Sequence, residues 1–168
     1  MHSGTEEFIR LAKHPWKFRM FLLSKLPVAW LCGVRIREMD RQHCTASVPF
    51  KRLTQNPFRS TYFACLSMAA EMSTGALAMA HLYKRQPAVS MLVVKVESEY
   101  YKKATGTTLF TCEDGAAIEQ VIEQAVKTGE AQTIRARSVG KNNQGDAVAE
   151  FFVTWSFKTR SSKTQSNP

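Results

Sequence analysis

The sequence contains no CxxC pair. Its four cysteines, Cys32, Cys44, Cys65 and Cys112, are scattered, and no histidine stands at metal-ligand spacing from any of them, so no metal site and no disulfide framework is implied. Four reduced, mostly buried thiols are expected. The opening residues, Met1 to Glu7, lack the basic n-region and the apolar h-region of a secretory signal. The most apolar early stretch, Phe18 to Cys32, is interrupted by Arg19, Lys25 and Pro27, which excludes an integral membrane span there. A cytoplasmic location is the resulting expectation. Acids are scarce, with 14 Asp and Glu against 23 Lys and Arg, a formal net charge of +9. That balance points to an anionic partner, whether nucleic acid, membrane or phosphorylated small molecule. No glycine-aromatic RNA motif, zinc pattern or basic recognition helix accompanies it, so nucleic acid is not expected.

At 168 residues the chain is long enough for one domain with a core that needs no covalent staple. Its most informative stretch is Tyr62 to Leu82, almost uniformly apolar and small, with a single acid, Glu71, near the middle. This reads as about six turns of helix. A helix apolar on all sides must be enclosed all round, and its Ala, Ser and Gly let other backbones approach closely.

The flanking segments read as the wrapping. Thr5 can cap a first helix with an apolar stripe of Phe8, Ile9, Leu11 and Ala12, and Pro15 restarts the chain as a second helix that ends before Pro27. These two could cover an edge or open end of the fold; with Lys13, Lys17, Arg19 and Lys25, a membrane-surface helix is the other reading. From Gly33 to Phe50 the pattern has period two, with Val34, Ile36 and Glu38 on one face and Arg35, Arg37 and Met39 on the other, then Cys44, Ala46 and Val48 against Thr45 and Ser47. A hairpin turning near Asp40 to Gln42 is implied. Ser90 to Tyr101 reads as a strand with Leu92, Val94, Val96 and Tyr100 opposite Lys95, Glu97 and Glu99, and Thr107 to Cys112 as a second. Asp114 caps a helix with Ala117, Ile118, Val121, Ile122 and Ala125 on one face, and two further strands join through Lys141 to Asp146. The expected class is α+β, a curved antiparallel sheet wrapped around a long central helix. Residues 1–30 are expected as a helical segment packed on the domain, 31–158 as the domain, and 159–168 as a flexible basic tail.

This order, with Asn56 in the loop before the long helix and Glu71 fifteen positions later, resembles the hotdog fold, and within it the PaaI-type acyl-CoA thioesterases. The likeness covers roughly Gly33 to Phe157. The His-Gly-Gly usual at the helix start in that family is here Tyr62, Phe63 and Ala64. The resemblance implies active sites at the interface of paired chains, hence a homodimer or a dimer of dimers. It implies hydrolysis of an acyl-CoA, with coenzyme A as part of the substrate and no other cofactor. Glu71 would be the base or nucleophile, and Asn56 would bind the carbonyl or orient the water. Ser90 would help hold that water. The amide of Phe63 would form the oxyanion site, because any non-proline residue at a helix N-terminus supplies such a donor. Tyr62 and Phe63 would line the acyl entrance, and Arg59, Lys102, Lys103, Arg135 and Arg137 are candidates for the coenzyme phosphates.

Each residue also has a plain structural reading. Glu71 could be a buried acid paired with Arg59, His81 or a sheet arginine, Asn56 an ordinary turn residue before Pro57, and Arg135 and Arg137 a solvated strand face. Two other functions fit the same fold. A hydroxyacyl thioester dehydratase would need a histidine in the loop before the helix, and residues 51 to 61 contain none. A protein that binds acyl-CoA or a fatty acyl chain without turnover would differ in keeping its affinity after Glu71→Gln.

Overall fold

Two prolines and a glycine divide the first thirty-three residues into three helices in this computed structural model, which describes residues 3–160. They are α1 (Ser3–Lys13), α2 (Pro15–Lys25) and α3 (Pro27–Cys32). Pro15 and Pro27 each open a helix, where a missing N–H costs nothing. Gly33 closes α3 at φ 81°, in the left-handed region that favours glycine. The six-residue α3 was not expected from the sequence, being too short to show periodicity. Thr5 lies inside α1, buried, rather than capping it. Phe8, Ile9 and Ala12 bury the expected stripe.

The next elements are β1 (Arg35–Met39), β2 (Cys44–Val48), α4 (Phe63–Leu82), β3 (Val89–Tyr100), β4 (Thr108–Cys112), α5 (Gly115–Thr128), β5 (Gln132–Lys141) and β6 (Ala147–Thr159). The six strands form one antiparallel sheet in the order β1-β2-β4-β5-β6-β3. Every other residue of β6, from Phe151 through Val153 and Trp155 to Phe157, faces the concave side and is buried there. Helix α4 lies in that concavity. Ala69, Ala70, Leu77, Ala78 and Ala80 are fully enclosed, and Ser73 is close enough to share a hydrogen bond of 2.7 Å with Ser138 of β5. Small side chains are what allow this approach. Fully burying a side chain such as Phe110 or Phe157 is worth about 1.5–3 kcal/mol. This is the hotdog arrangement that the resemblance implied.

Two β-bulges alter the expected faces. Between Ile36 and Glu38 the β1 register shifts, so Met39 turns inward and Glu38 outward, against the simple alternation. A second shift lies between Val93 and Lys95. It puts Met91, Val93 and Val96 on the concave side opposite Phe157, Trp155 and Val153, while Leu92 faces outward with Lys95 and Glu97. Leu92 therefore does not share a face with Val96. Among the described residues, β3 pairs along its twelve residues with β6 alone, and its other edge is free.

Helix α5 buries Ile118, Ile122 and Ala125 and stops at Gly129, φ 73°. Asp114 does not cap it through its side chain; instead its carboxylate accepts the N–H of Arg137 at 2.6 Å, tying the helix start to β5. Strand β6 continues through Thr159, whose hydroxyl donates to the Ala125 carbonyl at 2.9 Å. The rest of the expected basic tail, residues 161–168, lies outside the described residues. The four cysteines are free and buried, as expected.

Candidate active site

Phe63, Ser67, Glu71 and Gly75 follow one another at four-residue intervals, which places them on one line along α4. It is the side of the helix least covered by the sheet. Phe63 is exposed, Ser67 and Glu71 are half-buried, and Gly75 is buried where α1 and α2 close over the helix.

Glu71 stands in a cavity of about 180 Å³ whose walls are apolar, formed by Phe8 of α1, Phe18 and Phe21 of α2, Leu26, and Met91 of β3. No described residue donates a hydrogen bond to its carboxylate or pairs with it, so the structural pairing with Arg59, His81 or a sheet arginine is not made. Burial away from water disfavours the charged form and raises its pKa above the ordinary carboxyl value. The floor under the carboxylate is Gly75. A Cβ built there would lie 3.0 Å from Glu71 Oε1 and 3.1 Å from Cζ2 of Trp155. Trp155 is fixed by a 3.0 Å hydrogen bond from its indole N–H to Thr74 Oγ1. Neither Gly75, Trp155 nor the aromatics of α1 and α2 were singled out from the sequence. Only Gly75, one turn after the acid, carried a signal there.

The N-terminus of α4 forms a second cluster. Tyr62 precedes the helix without a side-chain cap, which leaves the amides of Phe63 and Ala64 as unpaired donors. The rings of Tyr62 and Phe63 meet edge-on at 4.8 Å and both are exposed. Asn56 organises the loop in front of them. Its Oδ1 accepts the N–H groups of Phe58 at 3.0 Å and Ser60 at 3.2 Å, and its Nδ2 donates to Ser60 Oγ at 3.1 Å. The carboxamide oxygen is thus fully used, and one N–H remains for a ligand. Arg59 is held at φ 59° with its side chain exposed.

These two clusters are separate within one chain. Eight residues of helix, about 12 Å, lie between Phe63 and Glu71, beyond the reach of one reacting carbonyl. Ser90 lies at the start of β3, beside Met91, and its hydroxyl donates to the Lys158 carbonyl at 3.0 Å. Three of the phosphate candidates are ion-paired: Lys102 to Asp146 at 2.9 Å, Arg135 to Glu97 at 2.8 Å, and Arg137 to Glu150. Arg135 also stacks on Phe152. None of those three is waiting for an anion.

Known proteins share this fold. Residues 15–157 match a family described as a domain of unknown function, DUF4442. Among curated proteins, none matches this sequence. Solved structures resemble it closely in fold. Protein PA5026 of Pseudomonas aeruginosa, described as of unknown function and a probable thioesterase, has a TM-score of 0.74 at 19% identity, over 95% of this chain and 99% of its own. Mutant thioesterase PA1618 from the same organism gives 0.63 at 14% identity, over 86% and 94%. Thioesterase HI1161 of Haemophilus influenzae gives 0.59 at 12%, over 83% and 87%. At these identities the likeness establishes the fold.

Proposed function

This chain belongs to the DUF4442 family, and on that premise we propose that it is a thioester hydrolase that cleaves an acyl-CoA to a free acid and coenzyme A. The observation that carries the proposal is Glu71: an unpaired carboxylate with a raised pKa, inside an apolar cavity large enough for part of an acyl chain. Near neutral pH such a group is a better base than an exposed glutamate. Glu71 takes a proton from a water held beside it, and the hydroxide adds to the thioester carbonyl carbon. The oxyanion that forms is met by helix amides and the free Asn56 N–H. The tetrahedral intermediate then expels the thiolate, the C–S bond breaks, and the proton from water passes to sulfur.

One chain cannot perform this alone, because Glu71 lies two turns from the Phe63 amide. The free edge of β3 and the uncovered line along α4 offer the remedy. A second copy pairing antiparallel along β3 extends the sheet and covers the α4 line, and it brings the helix N-terminus of one chain toward Glu71 of the other. The active enzyme is accordingly a homodimer or a dimer of dimers. A panel of acyl-CoA thioesters in a free-thiol assay tests the activity. Thiol release by the wild type, lost in Glu71→Gln, is the expected result; no release at any acyl length defeats it.

A second reading, acyl-CoA binding without turnover, is favoured by the saturated Oδ1 of Asn56 and by the two rings at the helix start. In that case Glu71→Gln and the wild type bind acyl-CoA equally and neither releases thiol.

A further inference from the structure

Helix α2 carries two apolar stripes. Phe18 and Leu22 face inward and are buried. Trp16, Met20 and Leu23, spaced i, i+4 and i+7, occupy the opposite face and are exposed, Trp16 to 75%. The next helix continues the surface with Leu26, Val28 and Leu31, all exposed. Lys17 and Arg19 fall on either side of the Trp16 stripe by helical position. From Phe8 to Arg37 the chain has seven Lys and Arg and no Asp or Glu. Among the described residues, none of Lys17, Arg19, Lys25 and Arg35 has a carboxylate partner. The nearby acids are engaged elsewhere, Glu6 with Arg41 and Glu7 with Lys84. Beside the stripe two grooves of about 240 and 500 Å³ share Arg19, Arg35 and Arg37. The guanidinium of Arg19 lies 5.1 Å from the Trp30 ring at the border between them.

We propose that α2 and α3 dock this protein on the surface of an anionic lipid bilayer, with the Trp16 stripe in the acyl boundary and the Arg19 and Arg35 grooves against lipid phosphates. An apolar stripe flanked by cations is the pattern of a helix lying in the membrane interface. The charge decides between occupants. A second copy pairing through this same face would oppose Lys17, Arg19 and Arg35 to the same cations of the other copy, with no acids between Phe8 and Arg37 to relieve them. A nucleic acid would leave the tryptophan and the aliphatic side chains without a matching surface. Leu26 belongs both to this surface and to the wall of the Glu71 cavity, so a docked bilayer meets that cavity directly. That last link rests on the thioesterase reading; the docking itself does not.

Sedimentation of the full chain with phosphatidylcholine vesicles containing roughly one third phosphatidylserine tests the proposal. Binding is expected to those vesicles and to fall steeply with salt, with little binding to phosphatidylcholine alone and no displacement by duplex DNA. The triple variant Trp16→Ser, Met20→Ser, Leu23→Ser should lose at least about tenfold in vesicle binding. Its melting temperature and its mass in solution should not change. Neutralising Lys17→Gln and Arg19→Gln should cost roughly fivefold each on the anionic vesicles. Absence of wild-type binding at low salt, equal binding by the triple variant, displacement by duplex, or a smaller oligomer in the triple variant would each overturn it. The last outcome would make the stripe a contact between chains.

Discussion

Gly75 provides the space in which the Glu71 carboxylate rests. A side chain at residue 75 would press on Glu71 Oε1 from one side and on the Trp155 ring from the other. The ring is pinned by Thr74, whereas the carboxylate is the end of a flexible side chain, so the acid is what moves. In Gly75→Ala the helix gains up to about 1 kcal/mol of propensity and loses a similar amount to the crowding. Stability should stay within about 1 kcal/mol of wild type, while turnover falls at least about tenfold because the base is displaced. Thermal melts beside steady-state kinetics separate the two effects. Unchanged turnover would show that the position of this carboxylate does not matter to the chemistry.

Glu71→Gln should lower turnover by roughly 100-fold or more, the usual cost of losing a general base. The same substitution has a stability signature. Burial raises the folded-state pKa of Glu71 above its ordinary 4.5. The folded protein therefore holds that proton to higher pH than the unfolded chain does. The resulting stability is complete below pH 4.5 and is lost as pH rises through the raised value. Glutamine cannot ionise, so the variant should gain on the wild type in melting temperature at pH 8 and not at pH 4. An equal difference at both would mean that Glu71 is charged in the folded protein at no cost.

The central helix, the succession of strands along the chain and the odd acid were legible because each depends on composition and period over many residues. Glu71 stands out in the sequence as the lone charge in twenty apolar or small residues, and the structure leaves it unpaired. What escaped notice depends on single-residue shifts or on partners distant in sequence. The bulges at Arg37 and Val94 each insert one residue, which reverses every later side chain without altering the run of residue types. For that reason simple alternation puts Leu92 on the face of Val96, and the structure does not. Asn56 and Ser90 could be located, but not their hydrogen bonds to Ser60 and to the Lys158 carbonyl. The aromatic wall around Glu71 comes from α1 and α2, more than forty residues upstream, whose role the sequence left open between covering the fold and meeting a membrane.

Val96 tests the paired edge. It lies on the concave side of β3, opposite Val153, and is 47% exposed in the single chain. A long apolar edge left free is a template for another strand. Val96→Lys should leave the folded chain intact, since the side chain already reaches water. In the dimer it would bury two like charges against apolar surface. The dimer dissociation constant should rise at least about tenfold, read as mass against concentration, and acyl-CoA hydrolysis should fall in step with the loss of dimer. A wild type that is monomeric at micromolar concentration, or a Val96→Lys dimer as tight as the wild type, would place the interface elsewhere.

His81 gives the opposite pH slope to Glu71 and can be separated from it. It is buried at the far end of α4, its Nε2 has no partner, and its Nδ1 lies 3.8 Å from Glu119 of α5. Burial lowers its pKa below the ordinary 6.5 more than the Glu119 carboxylate and a hydrogen bond to the Arg41 backbone raise it, and the charges of Arg41 and Arg85 lower it further. The unfolded chain therefore takes up a proton below pH 6.5 that the folded protein still refuses. Stability is intact above 6.5 and falls as pH drops toward the depressed value. His81→Gln cannot titrate, so its melting temperature should decline less than that of the wild type between pH 7 and pH 5. In the Glu71→Gln background this acid-side slope should persist while the alkaline-side loss disappears. Parallel curves for His81→Gln and the wild type across that range would mean that His81 binds its proton equally well in the folded and the unfolded chain.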